Sequence, residues 1–90
     1  MVTYLPYVKS WEAKGIGKWS VVLNVMAKYN STEVYYNVQL WCSDDVTPEE
    51  EVKCDRKASA RDMFNLLFHK ARKLDKGIIL KRQPNGRSMR

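Results

Sequence analysis

Two stretches of strict alternation, separated by three polar residues, constrain this chain more than any other feature. In residues 18–29, KWSVVLNVMAKY, the side chains of Trp19, Val21, Leu23, Val25, Ala27 and Tyr29 fall on one face, and Ser20, Val22, Asn24, Met26 and Lys28 on the other. Residues 33–42, EVYYNVQLWC, repeat the pattern. Val34, Tyr36, Val38, Leu40 and Cys42 share one face; Glu33, Tyr35, Asn37, Gln39 and Trp41 share the opposite one. Period two with β-branched and aromatic residues is the signature of a strand with one buried face. The break Asn30-Ser31-Thr32 is turn chemistry, so the pair reads as a long β-hairpin.

The flanking segments are less regular. Tyr4 to Trp11 is mixed and reads as an edge strand, with Pro6 near its start, where a missing N–H costs little. Gly15 and Gly17 then mark a flexible turn, without the strand-loop-helix setting or third glycine of a nucleotide fingerprint. Residues 43–50, SDDVTPEE, form an acidic loop. Within it, Thr47-Pro48-Glu49-Glu50 has the form of a helix start. Val52-Lys53-Cys54 reads as a short strand; a continuous helix over 48–75 is the competing assignment.

A helix is expected over about residues 57–76. Ala60, Met63, Phe64, Leu67, Ala71 and Leu74 make one apolar stripe. Ser59 and Asp62 have the spacing of a capping box, and Asp62 would then lie in the first turn. Arg72, Lys73 and Lys76 suit the last turn, and Gly77 supplies the stop. Ile78, Ile79 and Leu80 could add a strand or pack back on the sheet. The sequence therefore implies an α+β fold: an antiparallel sheet of three to four strands around a long central hairpin, one C-terminal amphipathic helix on a face, and a basic tail. Residues 1–82 would form a single domain and 83–90 a flexible basic tail.

Ninety residues allow one modest core, and a hydrophobic content of 44% excludes a disordered chain. No run of about 18 apolar residues exists, and the N-terminus lacks a secretory pattern. The expected setting is the cytoplasm, with no membrane contact.

The net charge of +6 is unevenly placed. Residues 1–52 hold four cations and seven anions, a balance of −3; residues 53–90 hold 12 cations and three anions, a balance of +9. Such asymmetry points to nucleic acid or another acidic surface. Helical spacing places Arg61, Asn65, Arg72 and Lys76 in one sector, near Lys73, where a row of cations can follow a phosphate backbone. Lys81, Arg82, Arg87 and Arg90 continue the row without an anion. The outward Tyr35-Asn37-Gln39-Trp41 ladder could stack bases and bond their edges, and Trp11 lies beside Lys9 and Lys14.

Catalytic and metal chemistry find little footing. His69, the sole histidine, falls opposite the apolar stripe. Cys42 and Cys54 read as ordinary reduced thiols; a disulfide, or zinc shared with His69, is the alternative. The acidic loop lacks the ligand pattern of a calcium loop. No nucleophile elbow, P-loop or zinc-protease motif is present, so neither an enzyme nor a cofactor is expected.

In element order over about residues 18–76, the chain is similar to the arm-type DNA-binding domain of tyrosine integrases and to the strand-strand-strand-helix part of the double-stranded RNA-binding domain. The likeness implies a layout and a nucleic-acid partner, not residue roles, and assigns no family. The expected function is non-catalytic binding of nucleic acid, DNA or RNA, through helix and tail cations and strand aromatics. The alternative is a protein-interaction module, a small regulator or inhibitor of a larger enzyme, of a size that suits a phage-type accessory protein, anchored by exposed Tyr and Trp. A homodimer is compatible with either.

Overall fold

The central hairpin is present: β2 spans Trp19–Lys28 and β3 spans Val34–Cys42, paired antiparallel from Trp19↔Cys42 to Ala27↔Val34. The computed structural model describes residues 6–28 and 32–80, with the backbone alone for 6, 7 and 28. β1, Pro6–Ile16, pairs with β2, and β4, Glu50–Cys54, pairs with β3. The four strands lie in the order β1-β2-β3-β4, and the one helix among the described residues, α1, Lys57–Asp75, packs on one face. The architecture is α+β, as the alternation and the stripe imply.

β1 is longer than its sequence pattern suggests. A bulge between Val8 and Ser10 inserts Lys9, so Val8 and Trp11, three residues apart, reach the same face. That parity slip is why the segment reads as mixed. Gly15 belongs to the strand, opposite Ser20, and only Gly17 serves the turn, at φ +58°. The four-residue motif Thr47-Pro48-Glu49-Glu50 starts no helix: residues 46–49 are irregular, and the Glu49 N–H donates to the Leu40 carbonyl at 2.7 Å as β4 begins.

The core lies between the sheet and α1. Trp19, Val21, Leu23 and Ala27 of β2 and Val38, Leu40 and Cys42 of β3 are buried there. Ala60, Phe64, Leu67, Ala71 and Leu74 of α1 meet them, with Met63 half-buried at the margin. The two alanines let the helix approach the sheet closely. Burying a Leu or Phe side chain contributes about 1.5–3 kcal/mol, so this stripe holds the helix in place.

The helix ends differ from expectation at one end and match it at the other. The N-cap is Arg56, with no side-chain cap hydrogen bond, and the first turn holds no acidic residue. Ser59 and Asp62 therefore lie inside the helix and form no capping box. At the C-terminus, Gly77 adopts φ +76°. The Gly77 N–H donates to Leu74 at 3.2 Å and the Ile78 N–H to Lys73 at 2.9 Å, the paired bonds of a Schellman stop. Residues 78–80 add no strand; Ile79 packs against the core while Ile78 and Leu80 are exposed. No helix among the described residues is long and apolar enough to cross a membrane.

Candidate functional site

The sheet divides the sequence-predicted site in two. Cross-strand partners share a face, so the register places Val8, Trp11, Ala13, Ser20, Val22, Asn24, Met26, Tyr35, Asn37, Gln39, Trp41, Glu51 and Lys53 on the side away from α1. Arg61, Asn65, Arg72 and Lys73 belong to α1 and Lys76 is its C-cap, on the other side. The aromatic ladder and the helical cations do not form one surface. Lys81, Arg82 and Arg87 lie outside the described residues.

On the helix side, several cations are already paired. Arg61 forms a two-pronged ion pair with Glu12 of β1, one N–H donating to Oε2 at 3.2 Å. Lys70 pairs with Glu50 of β4. Lys14, on the core side of β1, lies 4.4 Å from the centroid of the Phe68 ring, a cation–π contact that takes it away from Trp11. Lys18 pairs with Asp44 at 2.9 Å. Part of the +9 of the C-terminal half is thus neutralised by acids of the N-terminal half.

Arg72, Lys73 and Lys76 differ from these. They are exposed and make no ion pair among the described residues. They occupy the last turn and the C-cap, where the helix dipole favours positive charge. Beside them, Met63, Leu66, Leu67 and Ile79 line an open apolar groove of about 340 Å³, with His69 and Lys73 at its rim. Asn65 is exposed on the same helix, about two to three turns earlier.

The outer sheet face carries its own network. The Trp41 indole N–H donates to Gln39 Oε1 at 3.1 Å; Gln39 Nε2 and Asn37 Nδ2 both donate to Glu51 Oε2, at 2.6 and 2.9 Å. The hydrogen bonds from Asn37 and Gln39, with Lys53 nearby, hold the Glu51 carboxyl below its ordinary pKa, so it is an anion at neutral pH. Asn37 is only 8% exposed, and its Oδ1 accepts no hydrogen bond. Trp11, on the same face, is 68% exposed. Sequence alternation alone identifies the ladder. The role of Glu51 is invisible in it, because that depends on β4 pairing Gln39 with Glu51.

Both cysteines are free. Cys42 ends β3, whereas Cys54 pairs opposite Tyr36, six residues along the strand, which separates the two by about 20 Å at the usual rise. A disulfide is excluded by that register. Zinc shared with His69 is excluded as well, since no group of three potential ligands gathers among the described residues. In comparisons with known proteins, no family model, no curated protein and no solved structure matches this chain.

Proposed function

We propose that the protein binds nucleic acid without catalysis, through the cationic end of α1 and the segment that follows it. The observation that carries this reading is the contrast along the helix. Arg61 and Lys70 are neutralised by Glu12 and Glu50, whereas Arg72, Lys73 and Lys76 carry no counter-ion among the described residues and lead into Lys81, Arg82, Arg87 and Arg90. Closely spaced unpaired cations release condensed counter-ions when they meet phosphates. The neighbouring apolar groove offers a surface for sugar or base faces, and Asn65 a hydrogen-bonding group.

The test is binding of a fluorescent duplex and a single strand across a salt series. Log affinity should fall linearly with log salt, and replacing Arg72, Lys73 and Lys76 together by serine should lower the slope by up to about 2.7. Absence of binding at low salt would overturn the reading.

A second reading, a protein-interaction module, is favoured by one observation on the opposite face. No element among the described residues covers the outer sheet surface, and Trp11 projects from it largely exposed. Tyr and Trp in such positions are typical interface anchors.

A further inference from the structure

We propose that the free edge of β1 pairs with the same edge of a second copy of this chain, antiparallel and centred on Ala13, joining two four-stranded sheets into one. This interface is separate from the helix end and does not rest on nucleic-acid binding there.

β1 is the terminal strand of the sheet, and no described residue pairs with its other side. Every residue from Val8 to Gly15 is exposed. The register fixes where its backbone groups point. The Ser43 N–H donates to the Lys18 carbonyl at 2.8 Å, so alternation turns the backbone groups of Ser20, Val22 and Asn24 toward β3. Trp19, Val21, Leu23 and Val25 therefore bond to β1, at Ile16, Lys14, Glu12 and Ser10. What remains is a regular row: the N–H and C=O of Trp11, Ala13 and Gly15 point off the sheet, without a partner among the described residues. Edges that avoid pairing are blunted by bulges and prolines. Here Pro6 and the bulge at Lys9 lie ahead of Ser10, and residues 10–16 run on unbroken.

Charge complementarity names the occupant and its register. Because only alternate residues offer bonds, antiparallel registers between two copies differ by steps of two. With Ala13 opposite Ala13 of the second copy, Glu12 faces Lys14 of the second copy, and Lys14 its Glu12. One step in one direction sets Glu12 opposite Glu12; one step in the other sets Lys14 opposite Lys14. Opposite charges facing across strands stabilise and like charges destabilise. Larger slides run into the bulge or leave few residues paired. Glu12 stays half exposed beside Arg61, and Lys14 is exposed beside Phe68, so both are reachable from the edge. On the outer face the same register sets Trp11, 68% exposed, opposite Gly15 of the second copy. A Cβ built on Gly15 meets no described atom nearer than the Trp19 carbonyl oxygen at 3.4 Å, so an indole has room to lie over it. The pairing is two-fold, so it closes at two copies and sets both helices on one side of the joined sheet. Residues 10–16 are far fewer than the roughly 20–30 a side of a standard interface, so the dimer should be weak, with a Kd in the micromolar range or above.

The experiment is analytical ultracentrifugation of the full chain from about 1 µM to 1 mM. Wild type should follow a monomer–dimer equilibrium with no larger species. Glu12→Lys and Lys14→Glu should each weaken the dimer about tenfold or more, because each sets like charges opposite in both pairs. An equimolar mixture of the two variants should restore it, since each lysine then faces a glutamate. The lost Arg61 pair of Glu12→Lys is the same alone and in the mixture, so it does not affect that comparison. Ala13→Pro removes an N–H that points off the sheet and should abolish the dimer while the circular dichroism spectrum stays that of wild type. A chain that stays monomeric throughout would overturn the proposal, as would a mixture no better than either variant alone. Growth beyond the dimer would also overturn it and assign the β1 edge to the β4 edge of the next copy.

Discussion

Asp75, the last residue of α1, lies against Gly17 in the turn between β1 and β2, so closely that a Cβ added to Gly17 would overlap its carboxylate. The end of the helix and the first hairpin are thereby locked together, and Gly17 also holds φ +58°. Gly17→Ala should destabilise the fold by about 1–2 kcal/mol from backbone conformation alone, with a further cost from the contact. Urea unfolding of Gly17→Ala with and without Asp75→Ala separates the two: the second change should recover the contact component and leave the backbone component.

Glu51 makes stability depend on acid. Its folded pKa is lowered from 4.5, chiefly by the Asn37 and then the Gln39 hydrogen bond. A depressed carboxyl pKa contributes stability that is complete above the unfolded value and is lost as pH falls through the folded one. The stability difference between wild type and Glu51→Gln should therefore be constant at neutral pH and shrink below about pH 4.5. Denaturant midpoints between pH 7 and pH 3 check this.

Leu40 is fully buried between β2, β4 and the helix. Leu40→Ala should cost about 2–5 kcal/mol, a large share of the stability of a domain this size. Ala71→Leu, a fully buried alanine made bulky, should cost about 1–3 kcal/mol by overpacking. Thermal melts of both variants measure the two costs.

Glu12 and Glu50 mask cations. The Glu12–Arg61 pair is about half exposed, so Glu12→Gln should change stability by no more than about 1 kcal/mol. If phosphates bind on the helix side, Glu12→Gln and Glu50→Gln should each raise affinity at low salt and steepen the salt slope by up to about 0.9. The anisotropy titration that measures the wild-type slope reads both.

The thiols should differ in reactivity. Cys54 is partly exposed and Cys42 is 1% exposed. A thiol reagent should label Cys54 in the native protein and Cys42 only as the chain unfolds. Mass spectrometry of the time course shows the order, and mild oxidation should yield no internal bridge.

The sequence revealed the elements whose apolar residues recur without interruption: β2, β3 and the stripe from Ala60 to Leu74. Period and propensity are local properties, and here nothing breaks them. β1 was obscured because the bulge at Lys9 resets the alternation between Val8 and Trp11. The Ser59–Asp62 box failed because the helix begins two residues earlier, at Lys57, where Arg56 already holds extended backbone. As for the site, each half was visible as a pattern, but their separation was not. Which cations stay unpaired depends on partners 49 and 20 positions away in the chain, and Glu51 acquires its role only through the β3–β4 register.

The order of strands across the sheet is also their order along the chain. Each strand therefore finds its neighbour among residues just before it, and no loop has to wait for a distant segment to arrive. Chains wired in this local way close small loops first and cross modest entropic barriers. The hairpins can assemble as they leave the ribosome, and α1, which follows the four strands in the chain, completes the core by covering a sheet whose strands are already in sequence behind it.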